Sequence, residues 1–173
     1  ATRQGADSSF LEDTLRRINE ELGFNESKYL RAVSSSLMVS ADNAHALHPN
    51  HPELSDALNK VYMNEGVVIK HNAAQSYTTD GLSCAIFKKI CSKAGVPVQH
   101  FTNRADLRGG GTLGNISTSQ VSIMSVDIGL AQLAMHSCYE LAGTKDVDYM
   151  IKGIEEFYNT IISLDENGNV LLK

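Results

Sequence analysis

Apolar residues return along this chain with two different periods, and those periods lay out its elements. Leu11, Leu15, Ile18 and Leu22 recur at near-helical spacing and Gly23 follows as a stop signal, so residues 8–22 read as an amphipathic helix. Residues 27–33 add a short second helix. Leu37 to Ala41 is an apolar run of strand length, and Val67-Val68-Ile69 is a β-branched strand running into Lys70. Residues 51–61 read as a loop or a short helix. Leu82, Ile86, Ile90 and Ala94 share one face of a helix over 79–94, which Gly95 ends. Val96-Pro97-Val98 opens an extended run toward Phe101. Residues 109–114 form a glycine-rich loop, and 121–127 a strand closed by an Asp127-Ile128-Gly129 turn. Residues 131–141 and 147–164 read as helices, the second with Met150, Ile154, Phe157 and Ile161 on one core-facing stripe. A turn over 165–169 leads to a short apolar end.

Strands alternating with helices predict one α/β domain, a three-layer αβα sandwich around a mostly parallel or mixed sheet. In open sheets of this kind, sites collect where strands deliver residues to one edge. Asp42, Lys70 and His136 all fall at or soon after the ends of predicted strands.

The 173 residues suffice for a single substantial core. Fifteen basic against 20 acidic residues give a net charge of −5, which weighs against nucleic acid or an anionic membrane as partner. No run approaches the ~20 apolar residues of a membrane span, and the first residues have no signal-peptide character. Cys84, Cys91 and Cys138 are an odd number without Cys-x-x-Cys spacing, so reduced thiols and a cytoplasmic location are expected. The chain opens on Ala1 rather than Met, as it would inside a longer chain or after Met removal.

The chemistry concentrates in Ser40-Ala41-Asp42-Asn43-Ala44-His45-Ala46-Leu47-His48-Pro49-Asn50. One carboxylate and two imidazoles stand three residues apart, directly after an apolar run. These side chains bind divalent metal and move protons near neutral pH. Downstream, Ala134-Met135-His136-Ser137 places another imidazole after a strand. Taken alone, Asp42 reads as a turn or cap carboxylate, His136 as a buried hydrogen-bonded histidine, and Lys70 as a solvated strand-end lysine. His51, His71 and His100 belong to no motif and read as surface residues. Cys84 and Cys91, seven apart, read as buried thiols on one helix face.

Together, these strings resemble the aspartyl aminopeptidases, relatives of vacuolar aminopeptidase I. Thr2 to Ala6, Val68-Ile69-Lys70, Gln75-Ser76-Tyr77, Val96 to Gln99, Gly110 to Gly114 and Val126 to Gly129 follow in the family's order. The resemblance implies a zinc-exopeptidase-like fold of which this chain is the C-terminal portion of the catalytic domain, residues 1–173. It implies two divalent ions, zinc first and Mn or Co as alternatives, about 3.5–4 Å apart. Asp42 and His136 would be metal ligands. His45, Lys70, Tyr77, Gly110 and Thr112 would line the substrate site, Lys70 as cation for an acidic side chain. His48 would orient Asp42 or its loop from behind, with plain turn chemistry an equal alternative. The substrate would be a peptide with a preferred acidic N-terminal residue, hydrolysed by a metal-bridged water, and the full-length protein would form a homo-oligomer.

The chain also departs from that pattern. The family's Glu-Glu pair, one a general base and one a ligand, precedes the segment that here begins at Ala1. Ser76 and Tyr139 stand where arginine is frequent, and Asn115 where proline is. Glu12, Glu20, Glu21 and Glu26 carry no motif that would replace the pair. A second hypothesis is therefore a non-catalytic fragment or scaffold, with no activity and no tight zinc binding on its own. A third is a small-molecule binding domain built on the glycine loop.

Overall fold

The computed structural model describes residues 2–173. Its elements, in chain order, are α1 (Phe10–Glu21), α2 (Glu26–Ser34), β1 (Leu37–Ala41), β2 (Ala44–His45), β3 (Val67–His71), α3 (Gly81–Lys93), β4 (Val98–Thr102), α4 (Leu113–Gln120), β5 (Met124–Gly129), β6 (Ala131–Leu133), β7 (Leu141–Ala142), α5 (Thr144–Asn159), β8 (Ile162–Leu164) and β9 (Val170–Leu172). A single 3-10 turn, Pro52–Leu54, is all the regular structure between β2 and β3.

The central sheet runs β1-β5-β3-β4. β1 and β5 are parallel, β3 and β4 are parallel, and β3 meets β5 antiparallel, so the sheet is mixed. Side chains alternate between its faces. One face carries Val67, Ile69, Val126 and Ile128, which bury against Phe87 and Ile90 of α3 and against Met150, Ile154 and Phe157 of α5. Each such large apolar side chain contributes roughly 1.5–3 kcal/mol on burial. Phe87→Ala would remove the largest of them, at a cost of about 3–5 kcal/mol. The other face carries Ser40, Asp127, Val68 and Lys70 and is covered in part by α4. A Cβ at Gly114 of α4 would lie 2.9 Å from Ser40 Cβ and 2.8 Å from both Asp127 carboxylate oxygens. Helices thus stand on both faces. A smaller sheet, β2-β6-β7, continues from the ends of β1 and β5.

Several boundaries differ from the sequence reading. Residues 131–141 are not a helix. Ala131-Gln132-Leu133 is a strand, because it extends β5 and pairs with β2 on one side and β7 on the other. The expected turn Asp127-Ile128-Gly129 is the buried end of β5. The last helix stops at Asn159, and Ile162–Leu164 pairs instead with Val170–Leu172 across the 165–169 turn. Ile161 lies past the helix end and is exposed, so the stripe ends at Phe157. His71 and His100 are half-buried, with His71 Nε2 2.9 Å from His100 Nδ1, not surface residues, because both lie on the inner face of adjacent strands; His51 is exposed as expected.

Candidate metal centre and substrate cavity

Asp42 is placed by an extension of the main ladder. Its N–H donates to the Ile128 carbonyl at 2.9 Å, one residue beyond the last paired position of β1, and Ala44 N–H donates to Leu130 at 2.9 Å. Asn43 locks the step between the sheets. Its amide donates to Gln132 Oε1 at 2.5 Å, and its Oδ1 accepts from Leu130 N–H at 3.2 Å. The short β2 then carries His45 opposite Gln132.

His136 arrives from the other side. After β6 the chain reverses through Ala134 (φ 53°) and His136 (φ 68°), both non-glycine residues in the left-handed region. Such conformations cost about 1–2 kcal/mol each and persist where the surroundings over-determine them. Here the turn is tied by Ser137 N–H to the Ala134 carbonyl at 3.0 Å and by His136 N–H to Glu140 Oε1 at 2.7 Å.

The two segments meet at a cavity of about 100 Å³. Asp42, His45, Lys70, Tyr77, Thr112 and His136 line it, with Gly110 and Gly111 at its glycine-loop side. Seven of the eight residues singled out in the sequence therefore share one space. His48 does not line it. Its Nδ1 accepts from Asn50 N–H at 3.2 Å and its ring tilts against His51 at 5.2 Å, which is the turn chemistry and not an approach to Asp42.

Lys70 is not a solvated strand-end lysine: it is 2% exposed. Its Nζ donates to the Asn43 carbonyl at 3.3 Å and lies 5.0 Å above the Tyr77 ring. Burial pulls its pKa below the usual lysine range, opposed by the carboxylates of Asp42 and Asp127. The Tyr77 hydroxyl accepts from Asn103 Nδ2 at 3.2 Å, and burial pushes its pKa up. His45 is held below the ordinary histidine value, first by its partial enclosure and then by the nearby His136 and Lys70. A neutral His45 ring keeps one N–H to donate and one lone pair to accept.

The glycine loop is pinned from beneath by Asp127, fully buried in β5. Its carboxylate accepts from Thr112 Oγ1 at 2.7 Å, Thr78 N–H at 2.6 Å and Thr78 Oγ1 at 2.9 Å. Thr112 thus lines the cavity while its hydroxyl is committed to the sheet. Asp127 and Asn43 are the residues sequence reasoning passed over. Their signal was weak: each sits inside a motif string as a polar residue among ligands or apolar strand positions. A second space of about 280 Å³ adjoins the first through His45, Phe101 and Gly110 and brings Arg104 and Arg108 to its wall.

The donor set suits a divalent metal. Asp42 and His136 are exposed to the same cavity, and neither enters a salt bridge among the described residues. A carboxylate oxygen and an imidazole nitrogen are ordinary zinc ligands. Two donors make part of a site, since tight sites use three or four protein ligands.

Comparisons with known proteins identify the family. Residues 1–158 match the family described as aminopeptidase I zinc metalloprotease (M18). A probable M18 family aminopeptidase 2 of Clostridium acetobutylicum is 50% identical over 159 residues, covering 92% of this chain and 37% of that protein. A probable M18 family aminopeptidase 2 of Stutzerimonas stutzeri is 42% identical over 160 residues, covering 92% and 36%. The chain therefore spans little more than a third of these relatives. Among solved structures, a chain of the cryo-EM structure of the Ape4 and Nbr1 complex superposes with a TM-score of 0.88 at 39% identity, covering 91% of this chain and 30% of that one. The S. cerevisiae mApe1 dodecamer superposes with a TM-score of 0.78 at 29% identity, covering 91% and 34%.

Proposed function

Because the chain belongs to the aminopeptidase I zinc metalloprotease family, M18, we propose that it is the C-terminal part of the catalytic domain of a two-metal aminopeptidase. The full-length enzyme would remove an N-terminal, preferably acidic, residue from peptides. The observation that carries this reading is the convergence of Asp42 and His136, 94 positions apart in the chain, on one cavity with His45 and Lys70.

Asp42 and His136 would each hold one ion, with the remaining ligands and the general-base Glu outside this chain. Bound metal would supply Lewis acidity toward the scissile carbonyl and lower the pKa of water. The chain's own residues do the rest. His45, neutral at its lowered pKa, donates its ring N–H toward the oxygen on which negative charge develops. Lys70, fixed by Asn43 and Tyr77, offers a desolvated cation to a substrate carboxylate. Gly110 and Gly111 let the peptide approach the backbone closely. Zinc is the expected ion, and Mn²⁺ or Co²⁺ would accept the same donors. Homo-oligomerisation is proposed from the dodecameric relative, and exposed apolar residues on α1, at its C-terminal cap and on α2, such as Ile18, Leu22 and Leu30, suit a buried interface.

The test is metal content and aminopeptidase activity of the full-length protein carrying Asp42→Ala or His136→Ala. Each variant should lose bound metal, and activity should fall beyond the roughly 10–100-fold that loss of an outer supporting partner costs. Parental metal content and activity in both variants would remove the reading. The isolated chain should show neither peptidase activity nor stoichiometric binding of two zinc ions.

A further inference from the structure

The peptidase cavity uses one face of the sheet and leaves a second group of donors on the other. β3 sends Lys70 toward the cavity and its neighbour His71 to the opposite face, over α3. In β4, Phe101 packs with Tyr77 on the cavity side, and His100 turns with His71. His100 pairs in register with Ile69, so the two imidazoles are diagonal neighbours on adjacent parallel strands. Cys84 comes from the first turn of α3, held in place by the reciprocal Asp80–Ser83 cap. The donor atoms of His71, Cys84 and His100 all lie within 4.8 Å of one another. His71 Nε2 is 2.9 Å from His100 Nδ1, and Cys84 Sγ is 4.0 Å from His71 Nε2.

We propose that His71, Cys84 and His100 form a binding site for a borderline-soft divalent ion of the Zn²⁺ class, separate from the peptidase centre. Tetrahedral zinc with bonds of about 2.0–2.1 Å to nitrogen and 2.3 Å to sulfur sets N···N near about 3.4 Å and N···S near about 3.6 Å. The imidazole pair has to open by about 0.5 Å and Cys84 Sγ to close on His71 by about 0.4 Å, with all three donor atoms already within 4.8 Å of one another. Two imidazoles and a thiolate exclude the hard ions Mg²⁺ and Ca²⁺, which take oxygen ligands. Three protein donors leave the fourth tetrahedral position to water. Binding expels the thiol proton to solvent. Burial pushes the Cys84 thiol pKa up and both imidazole pKa values down, and the Lys88 ammonium nearby favours the thiolate. The competing explanation is a plain histidine–histidine hydrogen bond with Cys84 as a bystander.

A thiolate ligand distinguishes this site from the peptidase centre, whose proposed ligands in this chain are a carboxylate and an imidazole. The full-length protein is stripped with a chelator and titrated with Co²⁺. A cysteine-to-cobalt charge-transfer band should grow in the near ultraviolet and bleach when Zn²⁺ is added. Cys84→Ser should abolish the band, and His100→Gln should weaken cobalt binding at least roughly tenfold, while Cys91→Ala and Cys138→Ser keep it. No such band in the folded parent, or a band that survives Cys84→Ser or disappears in Cys138→Ser, would overturn the proposal. Neither result bears on peptidase activity, so the two readings stand or fall separately.

Discussion

Gly129, at the end of β5, lies against the backbone of Asp42. A Cβ on Gly129 would sit 2.8 Å from the Asp42 carbonyl carbon and from Asn43 Cα, and nearer still to the Asp42 carbonyl oxygen. Only a glycine permits the approach that sets the Asp42 carboxylate at the cavity. Gly129→Ala is therefore expected to displace the proposed metal ligand Asp42 without removing it. Activity of the full-length enzyme should fall by about 100-fold, the scale of a 1 Å misplacement, with reduced metal content. Unchanged kinetics in this variant would show that the position of Asp42 is not critical.

Thr112 and Asp127 form the anchor of the glycine loop. Thr112→Val keeps the shape and deletes the 2.7 Å hydrogen bond to a buried carboxylate. The variant should lose about 1–3 kcal/mol of stability, read as a lower urea midpoint with an unchanged slope. A midpoint equal to the parent's would mean that the loop is held by other contacts.

In the proposed function Lys70 selects an acidic N-terminal side chain. In Lys70→Met the apolar stem is kept and the cation removed. kcat/KM for a substrate with an acidic N-terminal residue should drop by roughly thirtyfold or more, the equivalent of about 2 kcal/mol for a buried charge partner. A substrate with a neutral N-terminal residue should be affected far less. Equal losses on both substrates would assign Lys70 to the scaffold and not to recognition.

Cys91 is enclosed between α3 and α5, and burial pushes its thiol pKa from 9.0 to about 12. The folded state therefore prefers the neutral thiol. This preference leaves stability intact below pH 9.0 and erodes it as pH rises from 9.0 through about 12. Denaturation midpoints measured across that window should fall more steeply in the parent than in Cys91→Ala. At neutral pH, a thiol-alkylating reagent should modify the exposed Cys138 and leave Cys91 untouched until the chain unfolds.

What the sequence disclosed depended on how local the signal was. The helix α3 was legible because Leu82, Ile86 and Ile90 repeat at its period and Gly95 stops it. Ala131-Gln132-Leu133 was not, because Ala, Gln and Leu favour helix and only pairing with β2 and β7 makes them a strand. The left-handed turn at Ala134 and His136 has no glycine to announce it. Asp42, His45 and His136 were legible as strings of chemistry, and the structure supplies their shared cavity. His71, Cys84 and His100 passed as unremarkable because they are 13, 16 and 29 positions apart, and only the alternation of strand faces together with the packing of α3 on that face unites them.

That alternation makes the placement of β3 unforgiving. Lys70 and His71 are consecutive in the chain yet serve opposite sides of the sheet, divided by the thickness of a single strand. Sliding β3 by one position against β4 and β5 would carry the ammonium into the oily layer under α3 and α5 and turn the imidazole toward the cavity side. Both sites would be lost together by a shift that leaves composition, chain length and backbone pairing number almost unchanged. The Val67-Val68-Ile69 segment just before the pair is excluded from water on both sides and would suit either register, so the pair itself, Lys70 donating to the Asn43 carbonyl and His71 bonded to His100, is what opposes that slide.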